Sequence, residues 1–275
     1  MSTIRSVLLQ LDATPTSAAR LEFARSVALR QEAALSAMFV VPPSAGPARL
    51  ASSEGPSGLM QQMDRDDIDR TTSLFDDALA EGRLPMRWLA SEGDAVETFC
   101  RQALYADLLV LGQHNPSTGL SDTVPANFVE SVVMATGKPA LILPFTGKFG
   151  APDRDVLIGW NATPQAARAV TAALPWLRTA RRVHVLEAIE DAAQHHVGDL
   201  DIAHYLHLHG IVSTPHRDHA SPTDAGEVLL SFARAVGADL LVMGCYGHLR
   251  AREFVLGGAS RTVLKRMALP VLMVH

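Results

Sequence analysis

Residues 240–264 read LLVMGCYGHLRAREFVLGGASRTVL, and their reading decides how the rest of the chain is organised. Four apolar residues, 240–243, run into Gly244; Gly247 and Gly257 follow, and the segment TVLKRM (262–267) has helical character. The order is strand, loop, helix. Glycines let a backbone turn through positive φ and come close to a ligand, and a helix start presents unpaired N–H groups to an anion. The junction therefore has the makings of a phosphate cradle. Its spacing is not that of the dinucleotide-binding fingerprint, and it lacks the Gly-Lys-Ser/Thr ending of a Walker A loop.

Outward from this stretch, the chain alternates short apolar runs with amphipathic segments. The run 7–11 ends at Asp12 and passes through Ala13-Thr14-Pro15 into the helical segment SAARLEFARSVALRQ. Further strands are expected at 35–41, 86–90, 106–112 and 139–144, with helices at about 59–81, 95–105 and 126–136 between them. Such alternation argues for a parallel sheet with right-handed crossovers. The pattern then starts again. VLLQLDATP (7–15) returns as VLIGWNATP (156–164), ADLLVLG (106–112) as ADLLVMG (238–244), and GKPALIL (137–143) as MALPVLMV (267–274). This order-preserving repeat reads as a tandem duplication, joined through FTGKFGAPD at 145–153. In the second copy, helices are expected at 166–178, 200–209 and 226–236, and strands at 183–189 and 211–215.

The spacing of Gly244, Gly247 and Gly257, Gly-x2-Gly-x9-Gly, together with the closing segment LPVLMV (269–274), resembles the nucleotide loop and last strand of the universal stress protein family. The repeat resembles its tandem, two-domain type. The resemblance implies an α/β fold of Rossmann-like, adenine nucleotide alpha hydrolase-like form. Two tandem domains, 1–146 and 153–275, would each hold a five-stranded parallel sheet flanked by helices. It also implies ATP or another adenine nucleotide on the glycine loop, an acidic residue at the end of the first strand, and a backbone contact to the adenine near the end of the second. Carried onto the second half, the site comprises Asn161, Ala162, Ala188, Gly244, Gly247, His248, Gly257, Gly258 and Ser260. Two positions depart from the family pattern: the acidic position holds Asn161, and Gly258 follows the last motif glycine, with Ser260 the nearest hydroxyl. Arg250 and Arg252 lie in the same loop, where they add positive charge or form a solvated face. The first half has Asp12 and Val40, but Gly112 is followed by Gln113-His114-Asn115, and the later glycine positions hold Ala126 and Asn127. That half is expected not to hold nucleotide.

Composition bounds the function classes. The 275 residues are 48% hydrophobic and 19% charged, enough to bury a sizeable core. No long apolar window suggests a membrane span, and the N-terminal stretch meets Asp12 before a signal-peptide core could form, so a cytoplasmic location is expected. A net charge of −5 offers no general attraction to nucleic acid. Cys100 and Cys245 have neither zinc-site spacing nor the number of a disulfide framework; Cys100 reads as a core residue and Cys245 as loop filler. Eight of the eleven histidines fall between His184 and His219, but no convergent third ligand accompanies His204 and His207, and no metal is expected. No catalytic constellation is visible, which leaves at most a slow ATPase. The expected role is a stress-response module whose halves pair internally and whose chain forms a homodimer, the alternative being an interaction protein with vestigial pockets.

Overall fold

A computed structural model of the chain describes residues 4–41, 56–117, 124–146, 149, 154–188, 200–218, 225–245 and 258–275. The chain divides into two compact units, Met1–Lys138 and Pro139–His275.

The first unit runs β1 (Ser6–Leu11), α1 (Ser17–Gln31), β2 (Ala34–Val41), α2 (Pro56–Ala80), β3 (Met86–Glu92), α3 (Ala95–Ala103), β4 (Leu108–Gly112) and α4 (Phe128–Thr136). Its strands lie in the order β3-β2-β1-β4, all parallel, with Leu9 opposite Ala37 on one side and Val110 on the other. The apolar runs of β1 and β4 are buried almost end to end, as strands covered on both faces require. Trp88 of β3 packs on Phe39 and Phe75, so an aromatic cluster joins β2, β3 and α2. Arg25 of α1, only 4% exposed, reaches Glu22 and Glu81 and draws the end of α2 towards α1.

The second unit begins with β5 (Ala140–Leu143), then β6 (Asp155–Trp160), α5 (Pro164–Leu177), β7 (Arg182–Ala188), α6 (Ile202–Leu208), β8 (Ser213–Asp218), α7 (Ala225–Val236), β9 (Leu240–Gly244), α8 (Gly258–Arg266) and β10 (Val271–Val274). From β6 onward the helix and strand order repeats that of the first unit. The strand order β8-β7-β6-β9-β10 likewise extends that of β3-β2-β1-β4. These five strands are parallel, and β5 joins them antiparallel along β10, with Ile142 opposite Val271 and Ala140 opposite Met273. The strand that the sequence places at the close of the first half thus lies in the second unit. Its four residues are at most 1% exposed, and the ladder to β10 satisfies backbone groups that this burial withdraws from water.

The repeated Ala-Asp-Leu-Leu has a structural basis. Asp107 Oδ2 accepts from the N–H groups of Arg5 and Ser6, and Asp239 accepts from those of Arg154 and Asp155. Each aspartate ties the start of β4 or β9 to the start of its neighbouring strand. Several element boundaries depart from the sequence reading by a few residues. The strand expected at 211–215 starts at Ser213, because Gly210, at φ +74°, and Ile211 finish α6 by donating to His207 O and Leu206 O.

A histidine pair lies in the second unit. His184, 8% exposed on β7, places Nδ1 3.0 Å from His216 Nε2 on β8, and the His216 ring packs, tilted, against Phe232 of α7. Burial lowers the His184 pKa, His216 and Arg182 lower it further, and Asp155 opposes them. The unfolded chain therefore takes up this proton more readily. Stability is complete above the unfolded value of about 6.5 and falls as pH drops from there towards the lower folded value. Thermal unfolding between about pH 7 and about pH 5 is expected to fall more steeply in the parent than in His184→Phe. Equal slopes would show that His184 contributes nothing to the acid limb.

Candidate functional site

In both units the strand order reverses beside the first strand, between β1 and β4 and between β6 and β9. An open parallel sheet takes its ligand in the crevice beyond the carboxyl ends of the strands at such a point. The two crevices are built differently.

In the first unit, Asp12 follows β1 and is only 4% exposed. Arg20, one turn into α1, folds back over the strand ends. Its Nη1 donates to Asp12 Oδ2 at 2.9 Å, Gln10 Oε1 at 2.6 Å and Gln10 O at 3.0 Å, and Nη2 to Asp12 Oδ1 at 3.2 Å. Ser17 and Thr14 donate to Asp12 Oδ1, and the Gly112 N–H donates to Gln10 Oε1. Burial raises the Asp12 pKa, but the charge and hydrogen bonds of Arg20, with those of Ser17 and Thr14, outweigh it and hold the carboxyl well below the usual range. Gly112 is needed for space. A Cβ there would stand 2.5 Å from the Arg20 Cζ.

In the second unit the equivalent positions are small or uncharged: Gly159 for Gln10, Asn161 for Asp12, Ala166 for Ser17 and Ala169 for Arg20. The space beside Gly159 goes to Leu229 of α7, 2.8 Å from where a Cβ would be. Asn161 and Ala162 are exposed, and Ala162 holds φ at +51°. Asn161 Oδ1 accepts from the Thr163 hydroxyl, and Thr163 in turn caps α5 by accepting from the Ala166 N–H. Gly244, at the end of β9, lies directly beneath this helix start. A Cβ on it would stand 2.4 Å from the Ala166 nitrogen and 2.6 Å from the Gln165 carbonyl carbon.

Ala188 ends β7, opposite Asp218. Gly258 opens α8, and Ser260, two residues on, is 4% exposed. Gly247, His248 and Gly257, with Arg250 and Arg252, lie outside the described residues. The structure therefore brings Asn161, Ala162 and Gly244 to one end of the sheet, with the start of α8 following from β9. Cys245 is buried rather than presented by the loop, and burial pushes its thiol up to about 12, so it is inert near neutral pH. His204 and His207 are exposed on α6.

Two residues at this end escaped the sequence reading. Gln165, the second residue of α5, has a buried Oε1 with no hydrogen-bond partner among the described residues. Arg168, one turn into α5, donates from Nε to the His275 carbonyl at the tip of β10 and acts electrostatically on Cys245. Their sequence signal was only their place in the first turns of the helix that follows β6.

The comparisons agree with this architecture. The Universal stress protein family profile matches residues 154–275. A universal stress protein from Archaeoglobus fulgidus is 18% identical, with a TM-score of 0.73 over 99% of this chain and 98% of its own. A functionally unknown protein from Pseudomonas aeruginosa is 14% identical, with a TM-score of 0.62 over 99% of this chain and 92% of its own. No curated protein matches. Residues 154–275 thus form a domain that matches the universal stress protein family, and the whole length of the chain carries the fold of the archaeal relative.

Proposed function

We propose that the chain is a cytoplasmic stress-response module that binds ATP or another adenine nucleotide in its second half, while its first half binds none. The observation that carries this reading is the contrast between the crevices: Arg20 fills the first, whereas the second presents an exposed Asn161 and, four residues on, a Gln165 Oε1 with no hydrogen-bond partner among the described residues. The glycine spacing of 244–257 points the same way.

In this reading the start of α5 supplies little to an anion. Pro164 has no N–H, and the Ala166 N–H is committed to Thr163. The phosphates are held by N–H groups of the glycine loop and the opening of α8, with Arg168 as the nearby cation. Asn161 takes a ribose or base contact, without the charge-assisted strength of a carboxylate. Gln165 Oε1 accepts from a ligand donor. None of these groups forms a nucleophile and base pair, so the reading is one of binding.

Calorimetry with ATP on the parent, Gly247→Val and Asn161→Asp tests it. One site per chain is expected in the parent, and Gly247→Val is expected to abolish it because bulk there blocks main-chain approach to phosphate. Asn161→Asp is expected to strengthen binding by roughly 1.5 to 3 kcal/mol where the ligand presents a donor. No binding in the parent would leave the second half an interaction surface. Unchanged binding in Gly247→Val would move the phosphates elsewhere.

A further inference from the structure

The first crevice is lined for a cation. Five oxygens surround the Arg20 guanidinium at 2.6–3.4 Å: Gln10 O and Oε1, Asp12 Oδ1 and Oδ2, and Thr14 Oγ1. Gln10, Asp12 and Arg20 are each at most 4% exposed, so both charges are withdrawn from water. The acceptors are themselves held in place: Gln10 Nε2 donates to Asp12 Oδ2, Ser17 and Thr14 fix Oδ1, and the Gly112 N–H fixes Gln10 Oε1. Gly112 leaves the planar group room over β4. An ordinary ion pair needs only a carboxylate within reach. Here two strand ends, a turn and a missing side chain are all shaped to one guanidinium, at the point where this sheet topology takes its ligand.

We propose that Arg20 is the first unit's internal ligand: the crevice between β1 and β4 is a receptor for a guanidinium group, filled from within and thereby closed to molecules from outside. The second crevice, with Ala169 in place of Arg20, has no such occupant among the described residues. The proposal does not depend on what the second half binds.

Removing the side chain should leave the receptor behind. In the full-length Arg20→Ala variant, thermal unfolding is measured with methylguanidinium chloride against equal concentrations of tetramethylammonium chloride. The variant is expected to melt several degrees below the parent. Millimolar methylguanidinium is expected to restore much of that loss, to leave the parent unchanged, and to do nothing for Arg20→Ala combined with Asp12→Asn. The proposal is overturned if Arg20→Ala melts with the parent, if methylguanidinium acts no better than tetramethylammonium, or if the double variant is rescued equally. Should Arg20→Ala not fold, refolding it in methylguanidinium and melting Gly112→Ala decide the matter. Recovery of folded protein and a lowered Gly112→Ala midpoint support the receptor; an unchanged Gly112→Ala midpoint refutes it.

Discussion

Replacing Asp12 by alanine is expected to destabilise the first unit by about 3 to 5 kcal/mol, the range for removing one partner of a buried ion pair. The loss exceeds that of a surface bridge because the Arg20 side chain is 4% exposed and cannot turn to water when its partner goes. Ser17 and Thr14 lose an acceptor at the same time, and the Gln10 amide loses the oxygen to which Nε2 donates at 2.7 Å. Exchanging both charges for the residues of the second copy, Asp12→Asn with Arg20→Ala, is expected to cost less than Asp12→Ala alone, since no charge is then stranded. Urea unfolding with hydrogen exchange on β1 and β4 measures both changes. Acid provides an independent check. The folded Asp12 pKa is depressed, so its contribution is present above the unfolded value of about 3.9 and is lost as pH falls towards the folded one. Parent and Asp12→Ala should converge in strong acid. A difference that persists undiminished would mean that the network is not held by the Asp12 charge.

The second large effect is expected at Gly244. Its φ does not lie in the left-handed region, so the requirement for glycine is one of space. The atoms that an added Cβ would meet, Ala166 N, Gln165 C and Ala166 Cα, at 2.4 to 2.9 Å, all belong to backbone and cannot swing aside as a side chain end can. Gly244→Ala must lift the first turn of α5 or push β9 away from β10. Either costs about 3 kcal/mol, the upper part of the usual overpacking range. The same shift displaces Asn161, Thr163 and Gln165 together, so ATP binding is expected to disappear even where the protein remains folded. Denaturation and calorimetry on this one variant separate the two consequences. Full stability would show that α5 yields easily, and retained binding with reduced stability would show that the ligand does not use this helix start.

The alternation of apolar and amphipathic segments was enough to give the elements and the mostly parallel sheet, because burial on both faces demands continuous apolar strands such as 108–111 and 240–243. The repeat of Asp12-Ala-Thr-Pro as Asn161-Ala-Thr-Pro, and of Ala-Asp-Leu-Leu, was likewise legible, since both copies keep the residues that start or end the same strands. Periodicity is a local property and stops there. It could not tell that β5 would lie antiparallel to β10 in the second unit, that His184 would meet His216 across two strands, or that Gly244 is glycine because a helix backbone lies on it. Nor could it tell Asp12 from Asn161 except by charge. Arg20 is eight residues from Asp12 on a helix rich in apolar and basic residues, and no pattern marks it as the one that turns back. Strand order decided that, by bringing the ends of β1 and β4 together beneath the first turns of α1. A guanidinium there finds five oxygens to replace the water it gives up, while the alanine at the same place in the second copy leaves Asn161 exposed to solvent.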